Sequence, residues 1–270
     1  MPRVVDQAIC LRHWDWSETS QIAWLLTREH GVVRGVAKGA KREKAAFSGG
    51  LELATRGELV FIPKHDALST LASWDLQESY FAAHPGAAAS SRAFFAAMYL
   101  LDLAQHFVQE GDPHPPVFDA LALTLRLVGD AAVAAARPSA GAEPLARRPI
   151  LLMQWTCLDQ AGLRPMLDRS AESGQPLRKA ASYALSPALG GLVADPGADA
   201  PPSLLRVRAA TIALLRRLDT DPPPDHAEVL TILTAASNED TERAARLLHR
   251  YIQHVLGRPL NTGSLVFEPT

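Results

Sequence analysis

Apolar side chains recur with a period of two from residue 4 to about residue 80, and from Ser90 onward the spacing lengthens to the three-and-four pattern of a helix. Such a chain cannot be one uniform fold. Its first part has to pair strands, and the remainder has to pack amphipathic helices.

Five short runs rich in Val, Ile, Leu and Trp carry the period of two, at 4–11, 21–27, 32–40, 51–62 and 68–78. Within the second, Ile22, Trp24 and Leu26 share one side and Gln21, Ala23 and Leu25 the other, so the pattern turns Trp24 toward a core. Residues 28–31 read as a hairpin turn, with Gly31 free to take the positive φ that such turns often need. Five strands in so short a stretch can close a small barrel, and the OB-fold is the common five-stranded solution.

Phe94, Phe95, Met98, Leu101, Ala104, Gln105 and Val108 follow helical spacing, with Ser90 or Ser91 as N-cap and Gly111 as terminator. Further helices are expected over 116–128, 149–162, 204–218, 226–236 and 240–256. The alanine-rich stretch 129–148 with Pro138 and Pro144, the stretch 198–203, and Pro222-Pro223-Pro224 read as loops or linkers. His84-Pro85-Gly86 interrupts where the strand pattern stops. The expected fold class is α+β, with an OB-like β-barrel domain over 1–82 and a helical domain over 86–270.

A net charge of −2 gives the whole molecule no field that would attract a polyanion, so any nucleic-acid function has to rest on a local patch. Cys10 and Cys157 stand far apart without a CxxC companion, which argues against a disulfide framework or thiolate metal site and suits a reducing compartment. No long uncharged apolar run is present, so a cytoplasmic protein is expected.

One stretch stands out chemically. Between Arg34 and Lys44 lie Arg34, Lys38, Lys41, Arg42 and Lys44 against the single acidic residue Glu43. An extended chain sends Arg34 and Lys38 to one side, and Lys41, Arg42 and Lys44 continue the charge into the following loop. Gly35 and Gly39 remove side chains beside those cations, which would let a polyanion backbone come close. A stripe of this kind neutralises phosphates without reading bases; the plain alternative is a solvated basic loop. Trp14, Trp16, Trp24 and Trp74 all lie in the first third of the chain. Trp14 and Trp16, in a turn, and Phe47, in the loop, are the aromatics placed to stack on unpaired bases.

Signatures of catalysis are missing. The GxxxxGK[ST] phosphate loop, the GxSxG elbow and the HExxH helix do not occur, and His249 and His254, five apart, do not share a helical face. No enzyme, cofactor or metal is expected.

Four blocks in order resemble the N-terminal domain of the RecO family: Ala8-Ile9-Cys10-Leu11-Arg12, Ser17-Glu18-Thr19-Ser20-Gln21-Ile22, Leu26-Thr27-Arg28-Glu29-His30-Gly31 and Arg34-Gly35-Val36-Ala37-Lys38-Gly39-Ala40-Lys41-Arg42. The likeness continues more weakly to Leu256-Gly257-Arg258-Pro259-Leu260. It implies a nucleoid-associated DNA repair and recombination mediator of the RecF pathway, whose OB-fold domain binds single- and double-stranded DNA. Such proteins anneal complementary strands, work with RecR, engage the acidic C-terminal tail of the single-stranded-DNA-binding protein and assist RecA loading. By position, Arg34, Lys38, Lys41, Arg42 and Lys44 would contact DNA, with Arg12 and Arg28 as secondary candidates. Many relatives also carry a four-cysteine zinc module; here Ser170, Ser173, Ala194 and Gly197 stand in the four ligand places, so 169–202 is expected to be a zinc-less remnant and among the less stable parts. The competing function is a protein-interaction adaptor with little intrinsic DNA affinity; a nucleic-acid hydrolase is disfavoured by the scatter of possible metal ligands.

Overall fold

The computed structural model describes residues 2–42, 46, 47, 49–64, 67–80, 91–135 and 147–267. Five strands, β1 (Val4–Asp15), β2 (Gln21–Thr27), β3 (Val32–Ala37), β4 (Thr55–Ile62) and β5 (Ser69–Ser79), close into a barrel in the order β1-β2-β3-β5-β4. The fold class is α+β, an OB-like barrel followed by helices. Every neighbouring pair is antiparallel except β3 with β5, whose parallel pairing sets Gly35 opposite Ser69 and closes the ring. A side chain at Gly35 would meet the Leu71 side chain and the Ser69 carbonyl. This glycine therefore serves barrel closure, not the approach of a polyanion.

Alternation fills the barrel with Ala8, Cys10, Leu25, Leu59, Leu71 and Trp74. Phe47 is buried among them at 3% exposure. It plugs the core, which removes it from the aromatics available to a ligand. Burial pushes the Cys10 thiol up to about 12, so it behaves as a small inert hydrophobe. Three strands differ in extent from the sequence reading. β1 runs on through Trp14 to Asp15, so Trp14 is a strand residue; β3 stops at Ala37, with 38–40 in a turn; and β4 begins at Thr55, not at 51.

The chain divides into two compact units, residues 1–145 and 146–270. The first holds the barrel together with α1 (Ser91–Phe107) and α2 (Pro115–Ala135), so two helices expected in the second domain share a unit with the barrel; the stretch around 84–86 lies outside the described residues. α2 continues past Gly129 into the stretch expected to be a linker, because alanine is the best helix former. Gly129 permits a close approach: a Cβ there would sit 2.6 Å from the Tyr80 carbonyl oxygen. Two bidentate ion pairs fasten α2 to the barrel, Arg28 with Asp119 at 3.1 and 3.0 Å and Arg126 with Glu78 at 2.9 and 2.9 Å.

In the second unit, α3 (Arg147–Gln160), α4 (Ala209–Leu218), α5 (His226–Ala235), α6 (Asn238–Leu256) and α7 (Gly263–Phe267) accompany a three-stranded sheet. Its strands β6 (Ser182–Ser186), β7 (Gly191–Ala194) and β8 (Leu205–Arg208) stand in the order β7-β6-β8. A helix was expected over 204–218, but its first part is β8, with Leu205 and Val207 buried and Arg206 and Arg208 exposed in alternation. α6 shows how local chemistry sets an element's ends. Ser237 caps it, Glu239 and Asp240 meet the positive end of its dipole, and Gly257 at φ 64 terminates it. No helix among the described residues is long and apolar enough to cross a membrane.

Candidate nucleic-acid interface

On the outer face of β1, β2 and β3, cross-strand register places Arg12 opposite Trp24 and Trp24 opposite Arg34. The Arg34 guanidinium lies 4.6 Å from the Trp24 ring centroid and that of Arg12 lies 6.0 Å away. Trp14 meets the same ring edge-on at 6.1 Å. Trp24 is thus half-buried on the outside of the barrel, not turned inward as its strand pattern suggests, because Ala23 and Leu25 take the inward places. Contact with the indole face is worth about 0.5–2 kcal/mol per cation and limits the directions in which each guanidinium can point.

The same face continues toward the end of β3. The hairpin loop 16–20 and the turn 38–42 are tied together by Lys41 N–H donating to the Thr19 carbonyl at 3.1 Å and Gly39 N–H donating to Ser20 Oγ at 3.1 Å. Gly39, at φ 69, makes that turn possible. Trp16, Val36, Lys38 and Arg42 line the cleft between the two segments.

The cations expected at the site are not equivalent. Arg12, Lys38 and Arg42 are exposed and have no ion-pair partner among the described residues. Arg34 has a loose partner in Glu110 at 3.7 Å. Lys41 is bound to Asp15 at 2.6 Å. Arg28 is taken up by Asp119 and Glu29, which hold its guanidinium in the charged form and fix it toward α2. Lys44 lies outside the described residues. The structure therefore brings Arg12, Arg34, Lys38, Lys41 and Arg42 onto one face and sends Arg28 elsewhere. Missed in the sequence was Trp24 as the hub of the arginines; the alternation Trp24-Leu25 beside the small Ala23 was the available signal.

The residues in the zinc module's places do not fit the metal. Ser170 Oγ accepts the Glu172 and Ser173 N–H groups, Ser173 Oγ accepts that of Gln175, and Ala194 and Gly197 offer no side-chain donor. No group of three His, Cys, Asp or Glu able to hold a metal occurs among the described residues. What gathers the segment is Asp195. Its carboxylate accepts Ser182 Oγ at 2.5 Å, Gly197 N–H at 2.9 Å and the Arg206 guanidinium at 3.0 Å, and these partners hold it down to about 2.

Comparison with known proteins agrees with this anatomy. Residues 1–80 match the family description "Recombination protein O N terminal" and residues 90–263 match "Recombination protein O C terminal". A DNA repair protein RecO from Anaeromyxobacter sp. (strain Fw109-5) is 30% identical over 256 residues, covering 93% of this chain and 91% of that one. Its counterpart in Myxococcus xanthus is 27% identical over 266 residues, 97% and 96% of the two chains, and that of Rhodopirellula baltica is 30% identical over 223 residues, 80% and 76%. With both family regions matched and a 30% identical relative aligned over 91% of its length, the chain belongs to the Recombination protein O (RecO) family of DNA repair proteins.

Proposed function

We propose that this chain is a recombination mediator that holds single- and double-stranded DNA by its phosphates on the outer face of β1, β2 and β3. The observation that carries the reading is the row Arg12–Trp24–Arg34 beside Lys38 and Arg42, exposed cations left without a strong carboxylate partner. Two strands held on such a face repel each other less and meet at higher local concentration, so pairing is accelerated without a chemical step, nucleotide or metal. In keeping with the family, the chain acts in the RecF pathway in the cytoplasm, with RecR, and assists RecA loading onto gapped DNA.

A second surface suits the acidic tail of the single-stranded-DNA-binding protein. In the unit 146–270, a pocket of about 440 Å³ has Leu205, Val207, Leu247 and Phe267 in its walls and Arg208 and Arg250 among its cations. Arg206, Arg243 and Arg246 there are engaged by Asp195, Glu239 and Glu242, whereas Arg208 and Arg250 have no partner among the described residues. Apolar walls with free cations match a peptide that combines acidic and apolar residues. Reversing Arg208 and Arg250 to Glu is expected to abolish binding of such a peptide in calorimetry while leaving DNA affinity intact.

The decisive experiment is a fluorescence-anisotropy titration of labelled oligo-dT across a salt series. Four neutralised phosphates, one each for Arg12, Arg34, Lys38 and Arg42, give a slope of log affinity against log salt of roughly −3. Lys38→Glu/Arg42→Glu is expected to weaken binding to every sequence alike, on the order of 100-fold, and to flatten the slope to about −1.5. Binding that ignores salt, or survives the double reversal, refutes the site. No binding at low salt leaves the adaptor reading.

A further inference from the structure

We propose that the cleft between the hairpin loop 16–20 and the turn 38–42 is a subsite for a single unpaired nucleotide, its base stacked on Trp16 and its phosphate held by Lys38 and Arg42. The proposal rests on the DNA-binding reading above and adds to it a residue that separates unpaired from paired strands.

Trp16 is 66% exposed, more than any other large apolar side chain of the described residues. An indole left in water at the tip of a loop would ordinarily be free to swing, but here its backbone is fixed. Trp16 N–H donates to the Ser20 carbonyl at 2.8 Å, Ser20 N–H donates to Ser17 Oγ at 3.2 Å, and the loop is hydrogen-bonded to the turn carrying Lys38 and Arg42. The backbone that carries the ring is therefore held beside two cations, and Val36 adds an apolar side chain to the same cleft. At about 390 Å³, the cleft has room for one nucleotide.

The three outer tryptophans then divide the work. Trp24 has the guanidinium of Arg34 over its ring, that of Arg12 farther off and Trp14 at its edge, so it is already engaged in orienting cations. Among the described residues Trp16 makes no ring or cation contact that would block stacking. A base inside a duplex is already stacked on both sides and cannot present its face, whereas every unpaired base can, whatever its identity. The cations serve both kinds of DNA; the indole serves one.

The test compares wild type, Trp16→Ala and Trp16→Phe in anisotropy titrations with oligo-dT and with a duplex of equal length at one salt concentration. Thermal unfolding of each variant checks that the barrel is intact. Trp16→Ala is expected to lose about 5- to 140-fold in affinity for the single strand, the equivalent of one stacked base, with duplex affinity and salt slope unchanged. Trp16→Phe, which keeps an aromatic face, is expected to retain most of the single-strand affinity. Equal losses on both DNAs, no loss on the single strand, or a Phe variant as weak as the Ala variant each overturn the subsite while leaving the cationic face standing. A wild type that binds neither DNA overturns both.

Discussion

The outer face of β1, β2 and β3 and the segment around β6, β7 and β8 are both small antiparallel surfaces carrying arginines, yet, Arg208 apart, they use them in opposite ways. On the barrel, Arg12 and Arg34 flank an indole, and Lys38 and Arg42 face a cleft whose lining among the described residues includes no carboxylate. In the second unit, Arg206 is clasped by Asp195, Arg216 donates to the Leu167 carbonyl at 2.9 and 2.6 Å, and Arg164 bridges Asp159 and Asp219. An arginine with a carboxylate or carbonyl at 3 Å has spent its donors on the fold. One held against an aromatic ring keeps its charge and its N–H groups available to an incoming phosphate.

The largest effect that separates the two regions is that of Lys38→Glu/Arg42→Glu, on the order of 100-fold in DNA affinity, which should come with an unchanged melting temperature. If the double reversal also unfolds the barrel, those cations belong with the structural ones and the contrast fails.

His249 carries the next effect. It is buried in the second unit, its ring stacked on Phe267 at 4.6 Å, and burial first, then the charge of Arg250, pushes it down to about 4 from an ordinary 6.5. The unfolded chain therefore binds a proton that the folded chain refuses between these values. Stability should fall as pH drops from 6.5 to 4, by up to about 3 kcal/mol. Urea unfolding of wild type at pH 7 and pH 4.5 checks this, and His249→Gln should flatten the difference; a slope that persists in the variant assigns it to another group.

Asp195 is expected to act in the same unit with the opposite sign. Its carboxyl is lowered by Arg206, Ser182 and the Gly197 N–H from 3.8 to about 2, so its contribution is complete above pH 4 and disappears as pH falls toward 2. Asp195→Asn should lower the melting temperature by a few degrees at neutral pH, while added zinc or a chelator leaves the wild type unchanged. DNA affinity should not move. Loss of DNA binding in this variant would show that the segment is more than internally stapled.

Smallest is the effect of Arg28→Ala. The pair with Asp119 is bidentate but exposed, so about 1 kcal/mol or less of stability is at stake. Its DNA affinity should equal that of wild type, which a titration in parallel with Lys38→Ala would establish. A matched loss in the two would return Arg28 to the binding face.

The barrel was legible because a period of two cannot be satisfied by a helix, and because Gly31, at φ 66, punctuates the β2–β3 hairpin as its sequence suggests. Other elements were not. β8 was absorbed into the adjoining helical run, although Leu205-Arg206-Val207-Arg208 alternates, because four residues carry too little pattern beside ten helical ones. Trp24 and Phe47 exchanged places for a different reason. A small barrel buries its inner face everywhere, but part of its outer face is also covered, where α1 packs on β1. Ile9 and Leu26 are fully buried on that outer side while Trp24 is not, and alternation alone cannot distinguish a covered outer residue from an open one.

The sequence by itself determined the order of a strand barrel followed by helices, the location of the basic stretch, the absence of thiolates from the zinc module's places and the family, since all of these reside in period, composition and motif. Only the tertiary structure decided which cations are free. Arg28, Arg34 and Arg206 look alike in sequence, and what separates them is whether Asp119, the Trp24 ring or Asp195 lies within a few ångströms. Those partners are 91, 10 and 11 residues away along the chain. Coulomb attraction and hydrogen bonding depend on distance in space, and the fold alone sets that distance.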